Sequence, residues 1–322
     1  MLTKLTLHAF RGFDDLTLDG FARANLLVGT NSVGKTSVLE ALYILCEIQV
    51  RNPVHETLAR RKYAGGDQNV FSAIHSMASA EPLVISSFSD ARMWSVDIDE
   101  EAGLLHSTLR ARDEAGKERS RKFNAQQSTS TRFDDRPHAI WFDFAATTDL
   151  MVAKRLGTLR RRNRMGDMVK WLQRVDPRVE DLSQIEEEGA PHMETFVKLQ
   201  GLGEWIRLTQ AGHGLRYAAA LFTELDGAKD AIVLIDEIEV GLHHDVLDAV
   251  WKTIRAVAEA NNLQIFATTH SYECIKAADA AFADAQDDLR LIRLQRVKGT
   301  VQVIDYPPDV RHDALEDGME VR

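Results

Sequence analysis

The fold is decided by the stretch Asn25-Leu26-Leu27-Val28-Gly29-Thr30-Asn31-Ser32-Val33-Gly34-Lys35-Thr36. Its apolar beginning predicts a buried strand, and apolar residues at helical spacing follow it from Val38 to Leu45. The loop between them matches the pattern G-x-x-x-x-G-K-[ST], which functions where a strand passes into a helix. The sequence therefore predicts a phosphate-binding loop, and the alternative is a chance turn with a helix cap.

This loop predicts that the chain binds ATP together with Mg²⁺. Glycines let the backbone fold around a phosphate, while backbone N–H groups and the helix N-terminus supply positive potential. We expect Lys35 to reach the terminal phosphates and Thr36 to place its hydroxyl on Mg²⁺. The residues expected to contact the nucleotide here are Gly29, Thr30, Asn31, Ser32, Val33, Gly34, Lys35, Thr36 and Ser37.

A second apolar run ends in two carboxylates. The run Ile232–Ile235 is followed directly by Asp236 and Glu237, as in a buried strand that ends beside a nucleotide. We expect Asp236 to hold Mg²⁺ through water and Glu237 to act as general base on the attacking water. The alternative is an ordinary solvated strand end, where Asp is common.

A third apolar stretch, Gln264–His270, ends in the polar pair Thr268 and Thr269 and then His270. A single histidine is more often structural than functional. Neighbouring parallel strands, however, bring their carboxyl ends to one crevice, and the order of the three motifs therefore predicts that His270 senses the γ-phosphate. The predicted catalytic residues are Lys35, Glu237 and His270.

The remaining pattern predicts an α/β fold. Two short strands are expected around Leu5 to Phe10 and Leu16 to Leu18, and strands alternate with helices over the last hundred residues, which favours a parallel sheet. Four pieces between 83 and 145 favour an antiparallel sheet; they are LVISSF, WSVDID, LLHSTLRA and HAIWFDF. Residues 150–225 have helical spacing, interrupted by the strand-like METFVKLQ.

Composition restricts the class of protein. The 322 residues are 44% hydrophobic and 27% charged, which is typical of a folded chain with a sizeable core. The net charge of -10 argues against a protein that coats nucleic acid, although a local basic patch can bind one. Cys46 and Cys274 are too few for a disulfide framework. With no apolar stretch of roughly 18 residues, we expect a cytoplasmic protein without membrane contact.

Together, GTNSVGKT, IVLIDEIEVGLHHD and IFATTHS resemble the ATP-binding cassette (ABC) ATPases of the OLD, RecF and SMC type. The resemblance extends to VDPRVEDL, TTHSYECI and ALEDGMEVR, which are similar to the compact stand-alone OLD-like ATPases of bacterial anti-phage defence. It implies a P-loop NTPase of ABC type with a mixed or parallel core sheet, an antiparallel β subdomain and a helical subdomain. The implied parts of this single head are 1–150, 151–225 and 226–322.

The resemblance also implies a D-loop and a signature loop. Glu239–His243 resembles the E-x-G-L-H form of the D-loop, and Leu208–Arg216 resembles the G-D-G-x-R form of the signature loop. The signature loop acts in trans across an ATP-sandwiched dimer, so the implied contacts with the partner's ATP are Gly212, His213 and Gly214. This chain departs from the pattern at His213, where an acidic residue is usual, and at Ala211. The alternative is an ordinary glycine at a helix start.

Two further nucleotide contacts are implied by the resemblance. Gln68 is the nearest candidate for the Q-loop residue, and Arg11 resembles an early nucleotide-contacting arginine of the family. Two groups of basic residues are candidates for nucleic-acid contact, although a solvated face is more common. The first group is Lys154, Arg155, Arg160, Arg161, Arg162 and Arg164, and the second is Arg110, Arg112, Lys117, Arg119, Arg121 and Lys122.

The implied function is a homodimeric or larger ATP-driven switch of a defence system. The resemblance implies a separately encoded effector, for example a nuclease, and the sequence offers no room for a fused one after His270. A RecF-type DNA repair ATPase is the alternative, although no heptad pattern predicts long coiled-coil arms. A transporter motor is the weakest alternative, because the LSGGQ form of the signature and any membrane segment are missing from the sequence.

Overall fold

The structure of the protein, a computed structural model, describes residues 1–48, 53–61, 73–75, 83–89, 92–101, 104–124, 137–185, 193–319 and 321. The described strands are β1 Leu2–Phe10, β2 Phe13–Asp19, β3 Ala24–Val28, β4 Leu83–Ser89, β5 Arg92–Glu101, β6 Leu104–Asp113, β7 Glu118–Asn124, β8 His138–Phe142, β9 Val179–Ile185, β10 Glu194–Leu199, β11 Ile206–Arg207, β12 Ala231–Ile235, β13 Gln264–Thr268, β14 Leu289–Val297 and β15 Thr300–Tyr306. The described helices are α1 Lys35–Glu47, α2 Pro53–Arg60, α3 Asp149–Arg161, α4 Met165–Val175, α5 His213–Gly227, α6 His244–Asn261, α7 Tyr272–Ala281 and α8 Pro308–Glu316.

The central sheet has the order β15-β14-β3-β13-β12-β8. The five strands from β14 to β8 are parallel, as the alternation of strands and helices predicts. The edge strand β15 instead runs antiparallel to β14. Lys298 and Gly299 join these two strands, with φ of 50° and 91°. Positive φ at both central residues is typical of a type I′ turn, which reverses the chain into a hairpin.

The assignment of HAIWFDF to the antiparallel sheet is wrong. β8, which lies within this piece, pairs parallel with β12, from Ala231 opposite His138 to Ile235 opposite Phe142. The reason is a tertiary contact from α1. The buried Glu47 accepts a hydrogen bond from the Ala139 amide at 2.9 Å and lies 2.6 Å from Nδ1 of His138. Alternation within a short strand does not reveal which neighbour it pairs with.

A second, antiparallel sheet has the order β2-β1-β4-β5-β6-β7. It contains the other three predicted pieces and also the two N-terminal strands. In the helical region, METFVKLQ is confirmed as a strand, β10, which lies between β9 and β11 in a three-stranded sheet. The sequence did not predict β9, because its burial pattern contains only two buried residues in seven.

Both faces of the central sheet are buried. Along β12, Val233 and Ile235 belong to one hydrophobic cluster, with α5 and α6, while Ile232 and Leu234 belong to the other, with α1 and the antiparallel sheet. A strand covered on both faces is a continuous apolar run in the sequence, as Ile232–Ile235 is. Among the described helices, none combines the length and apolar character that a membrane span requires.

Candidate nucleotide-binding site

The loop between β3 and α1 requires glycine at both glycine positions of its G-x-x-x-x-G-K-[ST] pattern. Gly29 and Gly34 have φ of 137° and 116°, a region that side chains with a Cβ rarely adopt. A Cβ on Gly29 would lie 2.2 Å from the carbonyl oxygen of Leu294, and one on Gly34 would lie 2.3 Å from Cζ of Phe13. The loop is therefore held closely against β14 and the start of β2, and it enters α1 at Lys35.

Lys35 extends back along this loop. Its Nζ donates hydrogen bonds to the carbonyl oxygens of Gly29, at 2.9 Å, and Thr30, at 3.1 Å. Burial lowers the pKa of Lys35, while the nearby carboxylates Asp236 and Glu237 oppose this shift. The ammonium is thus inside the loop, where phosphate oxygens can replace the carbonyls as acceptors.

The acidic end of β12 lies beside the first turn of α1. The hydroxyl of Thr36 donates to Oδ1 of Asp236 at 3.2 Å, and the hydroxyl of Thr268 donates to the same oxygen at 2.6 Å. Mg²⁺ takes oxygen ligands at 2.0–2.1 Å in octahedral geometry, so that adjacent ligand oxygens are about 2.9 Å apart. The hydrogen bond from Thr36 to Asp236, at 3.2 Å, fits a site in which the Thr36 oxygen is a direct ligand of Mg²⁺ and Asp236 holds the ion through a water.

Glu237 has a strained backbone with φ of 51°, which costs on the order of 1–3 kcal/mol for a residue with a Cβ. Two hydrogen bonds hold it there. Its amide donates to the Thr268 hydroxyl at 2.7 Å, and its carbonyl accepts from the Val240 amide at 2.9 Å. Glu237, Thr36 and Asp236 line one open cleft of about 430 Å³. The strained backbone thus places this carboxylate beside the candidate metal ligands.

His270 completes the group of residues at the strand ends. Its Nδ1 lies 3.5 Å from Nζ of Lys35, and its amide donates to Oε1 of Glu239 at 2.6 Å. The structure therefore brings Lys35, Asp236 and His270 together at the carboxyl ends of β3, β12 and β13. Their catalytic and metal-binding roles stay predictions.

The family described as "AAA domain, putative AbiEii toxin, Type IV TA system" matches residues 24–275. The chain belongs to this family. The matched range begins at β3 and ends within α7, and it therefore contains the phosphate-binding loop, the acidic strand end and His270. By family, the chain contains an AAA-type ATPase domain.

Individual relatives agree with this family. Over 45 residues the chain is 49% identical to the DNA replication and repair protein RecF of Limosilactobacillus reuteri, and the match covers 14% of this chain and 12% of that protein. Only about an eighth of that relative is therefore matched. An ATP/GTP phosphatase of Helicobacter pylori is 18% identical over 327 residues, which cover 87% of this chain and 88% of that one.

A solved structure shows the same fold. It is a Smc head domain with an extended coiled coil, bound to the C-terminal domain of ScpA, derived from Pyrococcus furiosus. The match has a TM-score of 0.57 and 13% identity, and it covers 98% of each chain. The fold predicted from the ABC resemblance is thereby confirmed.

The signature-like loop of this family member contacts its own D-loop. Gly212 precedes the first residue of α5, His213, whose Nδ1 donates to the carbonyl oxygen of Gly241 at 2.9 Å. The ring of Phe144 packs against the imidazole with a centroid distance of 5.0 Å. Contact of Gly212, His213 and Gly214 with a partner's ATP stays a prediction.

Arg11 is part of an ion cluster in which Glu40 is buried and Arg61 is exposed, and both of these residues line the cleft of Thr36 and Asp236. Its Nη2 lies 3.1 Å from Oε2 of Glu40, and Arg61 donates to both oxygens of the same carboxylate at 2.6 Å and 3.0 Å. Arg61 also donates to the Ser37 hydroxyl at 3.2 Å. Burial lowers the pKa of Arg11, although Glu40 opposes the shift. Arg11 therefore supports α1 in this structure. Gln68 lies outside the described residues.

Much of the first basic group is used within the fold. Arg155 forms an ion pair with Glu224, and Arg164 forms one with Asp226. Arg160 donates to the carbonyl oxygen of Leu182 at 3.2 Å. In the same group, Lys154, Arg161 and Arg162 are exposed. In the second group, Arg110 pairs with Asp97 and Arg112 pairs with Glu118. Contact with nucleic acid stays a prediction.

Sequence reasoning missed two residues that position the site. Thr268 was noted as part of a polar pair, but its bonds to Asp236 and to the Glu237 amide were not foreseen. Glu239 was assigned to the D-loop, and the structure adds its hydrogen bond with the His270 amide. A polar residue at the end of an otherwise apolar strand was the available signal for Thr268.

Proposed function

We propose that the protein is an ATP-hydrolysing dimeric switch, the ATPase component of a bacterial anti-phage defence system that controls a separate effector. The observation that carries the catalytic part is the arrangement of Thr36, Asp236 and Glu237 around one cleft, next to the Lys35 ammonium. The defence role is supported by the OLD-like resemblance. The family description names a toxin of a toxin–antitoxin system, and this supports a role in a bacterial system of that general kind.

The chemistry follows from the positions of the side chains. Lys35 and the loop amides would bind the terminal phosphates, and Thr36, with Asp236 acting through water, would hold Mg²⁺, which would supply positive charge to the phosphate oxygens. Glu237 accepts a proton from water as the water oxygen bonds to the γ-phosphorus. The bond from that phosphorus to the bridging oxygen breaks, and ADP carries the electron pair away. His270, beside Lys35, contacts the γ-phosphate.

A dimer is supported by the surface next to Glu237. Val240 is 54% exposed, and Gly241 and His243 of the same D-loop are exposed as well. A second copy of the chain would cover this apolar side chain and bring its Gly212–Gly214 loop to the bound ATP. Because the γ-phosphate makes contacts in the closed dimer that ADP lacks, ATP raises the population of that state and hydrolysis lowers it. A single head with parts 1–150, 151–225 and 226–322 is the proposed unit.

The test measures the mass of the purified protein with and without MgATP. We expect the Glu237→Gln variant to have the mass of a dimer when ATP is present and of a monomer when it is not. The variant should bind ATP but hydrolyse it roughly 10²- to 10⁴-fold more slowly, so the closed dimer should persist. Lys35→Ala should stay monomeric and lose ATP binding. Glu114→Gln, in the exposed turn between β6 and β7, is the matched control and should hydrolyse ATP like the unaltered protein.

Two results would contradict the proposal. Unchanged hydrolysis in Glu237→Gln would refute the catalytic assignment, and a monomer in every condition would refute the dimer.

A RecF-type repair ATPase is the second candidate, because a 45-residue stretch of the chain is 49% identical to RecF of Limosilactobacillus reuteri. It predicts that double-stranded DNA stimulates turnover. Stimulation should then decrease with added salt and be lost when the exposed Arg161 and Arg162 are both changed to Gln. A defence switch without DNA binding predicts the same turnover with and without DNA.

A further inference from the structure

One histidine joins the signature-like loop to the D-loop within a chain. Nδ1 of His213 donates to the carbonyl oxygen of Gly241 at 2.9 Å. Gly241 has φ of 79°, and a Cβ on it would lie 2.1 Å from Cε1 of His213. Beside this bond, a Cβ on Gly214 would lie 3.9 Å from the Leu242 side chain. The two loops therefore pack closely, and glycine at 241 leaves room for the imidazole.

The imidazole is held in place from its other side. The ring of Phe144 meets it at an interplanar angle of 72°. The guanidinium of Arg216 lies 5.5 Å from the centre of the Phe144 ring, and its Nε lies 3.6 Å from Asp149. His213 is exposed, so its ring is oriented by these two contacts, the bond to Gly241 and the Phe144 ring, and not by burial.

The D-loop connects Gly241 with the catalytic candidates. Leu242 donates its amide to the carbonyl oxygen of Glu239 at 3.0 Å, and Val240 donates to that of Glu237 at 2.9 Å. The Glu239 side chain accepts from the His270 amide at 2.6 Å. A shift of Gly241 is therefore passed through two consecutive turns to Glu237 and, through Glu239, to His270.

We propose that His213 is a positioning residue that couples engagement of the partner's ATP to catalysis in its own chain, and this inference rests on the proposed dimeric function. When the backbone of the Gly212–Gly214 loop docks on the partner's nucleotide, the His213 side chain, bonded to Gly241 and not to the nucleotide, carries the position of the loop to Gly241, and the D-loop aligns Glu237 and His270. An ionised carboxylate at position 213 could not serve in this way, because it has no hydrogen to donate to a carbonyl. The histidine in place of the usual acidic residue supplies the donor.

The experiment compares three substitutions at this position in the full chain. Asn places an amide donor near the position of Nδ1, whereas Gln places it one carbon further out, and Ala has no donor. We expect His213→Ala and His213→Gln to lower kcat roughly 10- to 100-fold, because misplaced catalytic groups have costs of this size. His213→Asn should recover most of the rate. In each case the half-saturating ATP concentration should stay close to that of the unaltered protein.

A second arm tests the bond itself. Gly241→Ala should lower kcat by displacing the imidazole and also by straining the backbone at a φ of 79°, and adding His213→Ala to it should lower kcat no further, because residues that act through one contact are not additive. The double variant His213→Ala, Glu237→Gln should still form a dimer when ATP is added. Thermal unfolding of each variant separates this effect from a loss of folding.

The outcomes separate this inference from the proposed function. A kcat for His213→Ala equal to that of the unaltered protein, in a protein that dimerises with ATP, overturns the coupling alone. A raised half-saturating ATP concentration together with loss of the ATP-dependent dimer shows that His213 contacts the partner's nucleotide directly, which also overturns it. Absence of both dimer and hydrolysis in the unaltered protein overturns the proposed function and the coupling together.

Discussion

Thr268 fixes the two carboxylates at the end of β12 with one hydroxyl group. It is fully buried at the end of the neighbouring β13. The hydroxyl donates to Oδ1 of Asp236 and accepts from the Glu237 amide. One side chain thereby orients the candidate metal ligand and also holds the strained backbone of the candidate general base.

We expect Thr268→Val to lower both stability and turnover. Valine keeps the branched shape but leaves the Glu237 amide without its acceptor, at a cost of about 1–3 kcal/mol in the free energy of unfolding. The misplaced Glu237 should lower kcat by on the order of 10²-fold. Turnover and denaturant unfolding measure the two effects. Thr268→Ser, which keeps the hydroxyl, is the control, and a valine variant with unchanged kcat would contradict this role of Thr268.

Among the secondary-structure elements, the pattern of apolar residues was enough to predict those strands that are buried on both faces. The runs that form β3, β12 and β13 are continuous and apolar, and each ends in a motif residue, so both the strands and the meeting of their ends could be predicted. Periodicity failed for β8, which pairs with β12 and contacts Glu47 of α1. It also failed for β9, which has few buried residues.

The contact between the signature-like loop and the D-loop could not be predicted from the sequence, for a different reason. His213 and Gly241 are separated by 28 positions, and neither position shows periodicity that points to the other. Their contact depends on how α5 and β12 pack together. The motif gave the residue types of the signature-like loop and the D-loop, and the tertiary structure alone gave the bond between them.

The last described helix, α8, is attached through charged side chains. The buried Arg311 donates to Oδ1 of Asp279 at 2.7 Å and to the carbonyl oxygen of Leu289 at 2.6 Å. His312 lies with Nδ1 3.1 Å from Oδ2 of the same Asp279. The hydrogen bond with Asp279 raises the pKa of His312, and the charges of Asp279 and Glu316 act in the same direction.

The raised pKa makes the attachment of α8 dependent on pH. The contribution of His312 to stability should be complete below the pKa of the unfolded histidine, about 6.5, and should be lost as the pH rises through the higher folded value. Histidine NMR titration should show that Asp279→Asn lowers the pKa of His312. In His312→Gln, this part of the pH dependence of unfolding should disappear. An unchanged His312 pKa in Asp279→Asn would contradict the assignment.

For the whole molecule, the important feature is that the two large sheets share one core. The hydrophobic cluster under α1 contains Leu5 and Val96 of the antiparallel sheet together with Leu234 and Phe266 of the central sheet. The nucleotide candidates lie on elements from both ends of the chain. Ligand binding at this site should therefore stabilise the molecule as a unit.

We expect MgATP to raise the melting temperature of Glu237→Gln in a single transition. At a concentration of 100 times Kd, a ligand that binds only the folded state adds about 2.7 kcal/mol, which corresponds to about 4 °C for a chain of this size. Scanning calorimetry measures the shift. Lys35→Ala provides the control and should show none, while two separate transitions, of which ATP moves only one, would contradict the shared core.

The position of β3 between β13 and β14 also affects how the chain folds while it is being synthesised. Asn25 of β3 bonds to Ile265 of β13 across 240 positions of the chain, so that the P-loop strand has neither neighbour until the C-terminal quarter has been made. At roughly 5–20 residues per second, this delay lasts on the order of 10–50 seconds. A nascent or prematurely terminated chain therefore carries the phosphate-binding sequence without the sheet that shapes it. We therefore expect chains that stop before β13 to bind ATP poorly.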